Sequence, residues 1–379
     1  MASSWAIGSN NDGMEYGITP EDMQDADYVV GAQIINFGAA DQTGVSMDAD
    51  YTAFTSQSTA ATIVSQDTLI MESTETPGLT AGMYTGNYLV TSAEELPTAP
   101  EFANNSGVRE FEISAPVATA NTDNPTYYAL DGIGVYTQNT LVGSLGTNSF
   151  TGAEDGLVLA TQYRIKNAAE ISGIRVMLAT GTVAGTDQLV CSIKDTATFF
   201  QNDMTPLHQT QLVSITTNDI NAGFIDVFFD GPITLNAGAY YAAAELYSNA
   251  GANTVRVSDD QTVAQPGDAS MIYIPGDQIY TNGEALGIRL IMGENLLNVA
   301  ENTLEGVSVY PNPSTGEFTI SNDNNVEATI VVYDLVGKVV YTAETSTSAS
   351  VNLSSAGAGT YVVKVSSAAG NYTEKVVIK

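Results

Sequence analysis

The sequence predicts an all-β chain of tandem β-sandwiches, and three observations carry that prediction. Short runs rich in Val, Ile, Thr, Tyr and Phe recur from end to end. Gly, Asn, Asp and Ser clusters separate them, as turns separate strands. Helical periodicity is nearly absent; one helical turn is expected at Thr19-Pro20-Glu21-Asp22, with Thr19 as cap and Pro20 at the first helical position. Many short strands spaced by turns build sandwiches, with a barrel as the alternative. A chain of 379 residues is long enough for two or three such domains.

Taken in order, residues 1–19 read as an N-terminal segment. Residues 20–115 have the length of one Ig-like sandwich, with strands in YVVGAQIINFG (28–38), TGVSMDADYTA (43–53), GNYLVTSA (86–93) and FANNSGVREFEIS (102–114). The stretch 115–126 is small, polar and without periodicity, as a linker would be. Residues 127–295 suit a larger jelly-roll-like sandwich, with strands in AEISGIRVMLAT (169–180), QLVCSIKDT (188–196), FIDVFFDGPITL (224–235), AGAYYAAAELYS (237–248) and GIRLIMG (287–293). A second linker, 294–306, leads to a small seven-stranded sandwich over 305–379. Its strands are VSVY, EFTI, ATIVVYD, KVVYTA, ASVNL, TYVVKVSS and YTEKVVIK, and alternation puts Tyr361, Val363 and Val365 on one face.

Composition excludes several functions. Forty-three acidic residues against 11 basic ones give a formal net charge of −32. Such a chain repels phosphate backbones, which argues against nucleic-acid binding, and lacks a cationic patch for an anionic membrane. No Lys or Arg precedes Arg109, whereas 15 acidic residues do. One Cys (Cys191) excludes an internal disulfide and a multi-Cys zinc site, and one His (His208) disfavours His-based catalysis and transition-metal binding. No apolar run is long enough for a transmembrane helix. The start, MASSWAIGSNNDG, lacks the basic and apolar regions of a signal peptide, so an exported chain would be a mature form or a piece of a longer precursor.

The most specific signal lies at the C-terminus. VYPNPSTGEFTI (309–320), VVYDLVGKVVY (331–341), AGTYVVKV (358–365) and EKVVIK (374–379) follow one another with short spacers. Pro311 and Pro313 fix φ and remove ladder donors, making a rigid corner. Gly316 supplies a turn, Gly337 suits a left-handed position in the Asp334–Gly337 connection, and Gly359 precedes Tyr361, whose ring is expected in the core. Together these motifs resemble the type A C-terminal sorting domain of the type IX secretion system of Bacteroidota. The resemblance covers about 75 residues, one fifth of the chain. It implies export through the periplasm to the cell surface or exterior, with the translocon and its sorting machinery as partners, and release or attachment to surface lipopolysaccharide after processing. The matching positions are Pro311, Asn312, Pro313, Gly316, Gly337, Lys338, Gly359, Tyr361 and Lys375; Lys338, Lys364, Lys375 and Lys379 are candidates for translocon contact. Residues 20–115 also resemble Ig-like, cell-adhesion-related modules through Asn36-Phe37-Gly38, GLTAGMYTGNYLV (78–90) and Asn104-Asn105 before Phe111. FFDGPITLNAGAYYAAAEL (228–246) resembles jelly-roll segments of secreted modules, a fold that does not settle function.

Other candidates are weaker. His208 reads as an ordinary loop histidine and Cys191 as a buried strand residue. Asp48 with Asp50 and Asp259 with Asp260 are calcium candidates, as are Asp12 with Glu15 and Asp323 with nearby Asn residues, though none has EF-hand spacing. No other cofactor is expected. Asp226 with Asp230, or Glu154 with Asp155, would serve glycosidase chemistry only if both faced one cleft. Tyr127, Tyr128, Tyr240, Tyr241 and Tyr247 would form a sugar platform only if they shared a surface, and the single Trp, Trp5, lies in the terminal segment. The expectation is a non-enzymatic, secreted or surface cargo used in adhesion or surface structure. The alternative is a carbohydrate-binding accessory region of a secreted hydrolase.

Overall fold

The computed structural model describes residues 1, 3–8, 13–95, 100–120, 125–137, 141–201, 203–293, 306–323, 327–334, 338–354, 356–367 and 370–379. It divides into two compact units, Met1–Asn295 and Leu296–Lys379. Both are all-β.

The first unit begins with β1 (Ser3–Ile7), β2 (Ile18–Pro20), β3 (Tyr28–Ile35), β4 (Gln42–Tyr51), β5 (Phe54–Ile63), β6 (Thr68–Glu75), β7 (Gly82–Thr91) and β8 (Ser106–Ser114). They form two sheets, β1-β3-β6 and β2-β8-β7-β4-β5. Strand alternation sets the core: Met47, Ala49 and Tyr51 of β4 point inward onto Val30, Tyr88 and Phe111, while Asp50 between them is exposed. Residues 1–19 are therefore not a separate segment. β1 pairs antiparallel with β3, and the Trp5 ring lies over Gly31, where a Cβ would stand 2.6 Å from it. Thr19 and Pro20 end a strand paired in parallel with β8, not a helix. Ile18 exchanges backbone hydrogen bonds with Ala129, which leaves only the short turn after Pro20 to close by Met23 N–H donating to the Pro20 carbonyl at 2.9 Å.

The same unit continues through β9 (Thr126–Tyr128), β10 (Val142–Gly146), β11 (Asp155–Ile165), β12 (Ala169–Met177), β13 (Gly185–Asp195), β14 (His208–Gln209), β15 (Val213–Ile215), β16 (Phe224–Leu235), β17 (Gly238–Tyr247), β18 (Arg256–Asp260), β19 (Ser270–Tyr273), β20 (Ile279–Thr281), β21 (Ala285–Leu286) and β22 (Ile288–Met292). A large sheet, β14-β13-β17-β11-β19-β20 with β15 also on β13, packs on β16-β12-β22-β9. A third, small sheet runs β10-β18-β21. Two short helices interrupt the strands, α1 (Thr196–Phe199), capped by the Asp195 carboxylate, and α2 (Thr217–Ala222), with a Thr216/Asp219 capping box. Of the expected linker 115–126, residues 121–124 lie outside the described residues; of the rest, Val117 and Ala120 are buried, with Val117 N–H donating to Asp22 at 3.0 Å, while Ala118 and Thr119 are exposed.

Gln265 joins these two sandwiches, donating to the Glu15 carbonyl at 2.9 Å and accepting from Glu15 N–H at 3.2 Å, and buried charges lie on both sides of that seam. Glu15, 3% exposed, accepts from Ala6 N–H at 3.1 Å and lies 3.6 Å from the Arg109 guanidinium. Arg289 on β22 forks onto Asp131, which is fully buried, and also donates to the Ile133 carbonyl at 2.6 Å. Asp260 accepts from Gly132 N–H at 2.7 Å.

The second unit contains β23 (Val307–Tyr310), β24 (Glu317–Asn322), β25 (Ala328–Tyr333), β26 (Val339–Thr345), β27 (Ser348–Asn352), β28 (Gly359–Ser367) and β29 (Gly370–Ile378). Its sheets are β23-β24-β27 and β26-β25-β28-β29. The seven expected strands are these seven. Between the sheets lie Phe318, Ile320, Ile330, Val332, Val351, Val376 and the predicted Tyr361, Val363 and Val365.

Candidate functional site

The corner after β23 is built as its prolines require. The Tyr310–Pro311 and Asn312–Pro313 bonds are both cis, and neither proline enters a ladder. Asn312, between them, replaces the missing strand. Its amide donates to the Lys375 carbonyl at 2.7 Å and its carbonyl oxygen accepts from Val377 N–H at 3.0 Å. Ser314 then donates to the Val377 carbonyl at 2.9 Å and accepts from Lys379 N–H at 3.0 Å. The corner is thus strapped to β29 of the opposite sheet, which closes one edge of the sandwich.

Gly316 follows at φ 105°, with its carbonyl accepting from Leu353 N–H at 2.7 Å. A Cβ there would meet the Ser354 backbone nitrogen at 2.9 Å. Gly316→Ala is expected to lower the stability of this unit by about 1–3 kcal/mol, from backbone strain and overpacking together. Urea denaturation followed on the second unit's transition checks it; an unchanged midpoint would refute the packing argument.

Tyr361 is buried on β28, and its hydroxyl faces the Ala356 and Gly357 carbonyls at 2.8 and 3.0 Å. A tyrosine on the sixth strand bonding back to backbone a few residues upstream is the tyrosine corner of β-sandwiches. A Cβ at Gly359 would come 3.8 Å from that ring, an ordinary contact, so packing there does not require glycine. Gly337 lies outside the described residues. The connection it belongs to is closed by Asp334 N–H donating to the Lys338 carbonyl at 3.0 Å and Lys338 N–H donating to the Asp334 carboxylate at 2.9 Å.

The outer face of β26-β25-β28-β29 gathers the lysines. Register places Val339, Tyr333, Val362 and Lys375 in one row across the strands, and Thr342, Val331, Lys364 and Thr373 in the next. Lys338, Lys364 and Lys375 are exposed, as is Val339 at 49%. Apolar side chains thus share the face with Lys364 on the inner strand β28 and Lys375 on the edge strand β29, with Lys338 just before β26 and Glu344 in the row of Thr329. Residues 306–379 hold six acidic and four basic side chains, so this unit escapes the acidity of the rest.

The remaining candidates are dispersed. Asp259 and Asp260 are neighbours on β18 and point to opposite sides, which denies them a shared ion. Asp259 hydrogen-bonds to Asn282 at 2.9 Å and to the Glu284 side chain; Asp260 accepts from Gly132 and Thr262 N–H groups. Asp48 and Asp50 do share an outer face of β4, with Gln57 donating to Asp48 at 2.6 Å. Among the described residues, no group of three or more His, Cys, Asp or Glu side chains converges to hold a metal. Asp12 lies outside the described residues, and Glu15 belongs to the buried seam.

Asp226 is bidentate to Arg175 at 2.6 and 2.7 Å, whereas Asp230 accepts from Gln211. Four strand steps separate them by ~13 Å, beyond glycosidase spacing. Asp155 caps the Ser248–Ala250 turn, while Glu154 beside it is exposed. Tyr128 and Tyr241 are fully buried, Tyr127 lies under the Arg175 guanidinium at 4.4 Å, Tyr240 packs on the core, and Tyr247 donates to Glu245. The tyrosines share no surface. Cys191 is fully buried and burial pushes its thiol well up; His208 is half-buried, paired with Ile193.

Two carboxyls read from the sequence as calcium candidates are instead buried, which the sequence did not foretell. Burial, with Glu284 adding to it, pushes Asp259 up to about 7. Burial also raises Glu15, against the opposing pull of Arg109. Both are raised relative to the unfolded chain, so the stability each contributes is complete below about pH 4 and is lost as pH rises; for Asp259 that loss runs to about 7. The first unit should melt at higher temperature at pH 5 than at pH 8, and Glu284→Gln should flatten the profile. A melting temperature that climbs from pH 5 to pH 8 would contradict this.

Comparison with known proteins adds one firm result. Residues 308–379 match the family described as "Secretion system C-terminal sorting domain". No curated protein matches the chain. Solved structures similar to it include a β-glucuronidase of Ruminococcus gnavus (9% identity, TM-score 0.16, 59% of this chain and 35% of that one). A β-glucuronidase of Faecalibacterium prausnitzii (11%, 0.18, 79% and 45%) and a "Biofilm associated protein - BSP domain" (11%, 0.17, 100% and 66%) are others. The chain thus spans less than half the length of either glucuronidase, and likenesses at these scores carry no argument. No helix among the described residues is long and apolar enough to cross a membrane. The strapped proline corner, the tyrosine corner and the lysine-bearing sheet face therefore belong to a C-terminal sorting domain of the type IX secretion system, carried by residues 308–379 of this chain.

Proposed function

We propose that residues 1–295 are a non-enzymatic passenger, delivered by residues 306–379 to the cell surface or exterior and used there in adhesion or surface structure. The sorting domain carries this reading, since it implies export. The passenger's candidate catalytic carboxylates support it by being committed elsewhere: Asp226 to Arg175, Asp155 to a turn. Fusion of residues 305–379 to a periplasmic reporter should bring the reporter to the surface of a competent host. Retention in the periplasm would sink the delivery claim. Loss of cell attachment on deleting the passenger, with growth unchanged, would test adhesion.

The lysine-bearing sheet face is the surface offered to the sorting machinery. Charges at the rim of an interface govern encounter and register more than fold. Replacing Lys338, Lys364 and Lys375 together by Glu should cut secretion severalfold while the sorting domain's melting temperature stays put. Full secretion by the triple variant would move the docking surface elsewhere.

A further inference from the structure

The five-stranded sheet of the first sandwich ends in β5, which pairs only with β4 among the described residues. The far edge of β5 therefore presents backbone N–H and C=O groups to solvent. The two-residue turn Thr52–Ala53 fixes which ones. Tyr51 and Phe54 close that turn as a directly opposed pair, and in such a hairpin the closing pair is hydrogen-bonded. Alternation then turns the bonding groups of Phe54, Ser56, Ser58 and Ala60 toward β4, and those of Thr55, Gln57 and Thr59 outward. The side chains of Thr55, Gln57 and Thr59 are exposed as well. Past the end of β5 the chain is closed, because the Asn36 amide takes the Ile63 and Val64 carbonyls at 3.1 and 3.2 Å.

Open edges are ordinarily blunted by charge, proline or brevity. Every other edge strand among the described residues follows that rule. β6 carries Glu72, β16 carries Asp226 and Pro232, β26 carries Glu344 and β29 carries Lys375; the rest have five residues or fewer. β5 runs for 10 residues, Phe54–Ile63, without a charge or a proline. It does so in a chain of net charge −32, whose copies repel one another over most of their surface.

We propose that β5 is an interface through which two copies of this chain pair, edge to edge and antiparallel, about a two-fold axis at Gln57. The partner is a second copy because the free stretch is self-complementary. Rotation about Gln57 sets that residue opposite its counterpart and Thr55 opposite Thr59 of the second copy, so each outward N–H meets an outward C=O. Directly opposed threonines are a favourable pair, and the two neutral strands bring no like charges face to face. The two five-stranded sheets become one continuous sheet.

Sedimentation equilibrium on the full chain is expected to show a reversible monomer–dimer equilibrium. Gln57→Cys should cross-link two copies under mild oxidation, since opposed Cα atoms of a hydrogen-bonded pair lie about 5.5 Å apart, within disulfide reach. Thr62→Cys, exposed on the same strand but far from the axis, should not cross-link, and the native Cys191 is fully buried. Thr55→Lys combined with Thr59→Lys sets like charges opposite one another only in the dimer, and should weaken it about tenfold. Both positions are exposed, so the melting temperature of the dilute chain should stay put. A chain that is monomeric at every concentration, cross-linking at position 62 equal to that at 57, or a dimer unaffected by the paired lysines would overturn the proposal.

Discussion

Asp131→Ala is expected to destabilise the Met1–Asn295 unit by about 3–5 kcal/mol, the cost of leaving a buried charge without its partner. The Asp131 side chain is fully enclosed and that of Arg289 is 7% exposed. Arg289 would keep only the Ile133 carbonyl as a partner of those described here. Glu112 of β8 also attracts Arg289, so the loss should be felt on both sides of the seam and the two sandwiches should still melt together. Replacing both partners, as in Asp131→Leu with Arg289→Met, should recover most of the loss, because no charge then remains to be desolvated. Chemical denaturation of the three variants checks this. A single variant within about 1 kcal/mol of the parent, outside the range expected for a broken buried pair, would show that water reaches the pair.

Tyr361→Ala should unfold the sorting domain and abolish export. Removing a buried aromatic ring costs about 3–5 kcal/mol. A domain of this size seldom has more than about 3–5 kcal/mol to lose. Tyr361→Phe keeps the ring and gives up only the hydroxyl's bonds to Ala356 and Gly357, about 1 kcal/mol, so that variant should fold and be exported. The passenger's own transition should be unmoved in both. Export that fails in Tyr361→Phe although the domain is folded would mean that the hydroxyl is recognised rather than structural.

The strands of the sorting domain were legible because they are short β-branched runs between turns, and several, such as β23 and β25, alternate between a buried and a more exposed face, although β26 buries no residue fully. VSVY became Val307–Tyr310 without adjustment, and the bounds of the others moved by one or two residues. Alternation also foretold that Tyr361, Val363 and Val365 share the core. Residues 1–19 were misread because β1 is only five residues long and its pairing with β3 is invisible to local pattern. Long-range pairing hid the charged seam as well: Asp131 and Arg289 stand 158 positions apart, and neither looks unusual in its own neighbourhood. Asp259 and Asp260 failed for the opposite reason, since adjacency in sequence is separation across a strand. The role of Asn312 could not be read from spacing either, because its partners lie on β29, more than 60 residues later.

That last distance sets an order of events. Polypeptides emerge from the ribosome N-terminus first, so the proline corner is made early and waits for β29 to arrive. Until residues 370–378 exist, Asn312 and Ser314 have no strand to hold, and β28 lacks one neighbour. A prematurely terminated passenger would carry no closed sorting domain and would not qualify for export. The address is legible only on a finished message, and graded truncations from residue 378 back to 370 should lose secretion before they lose the folded passenger.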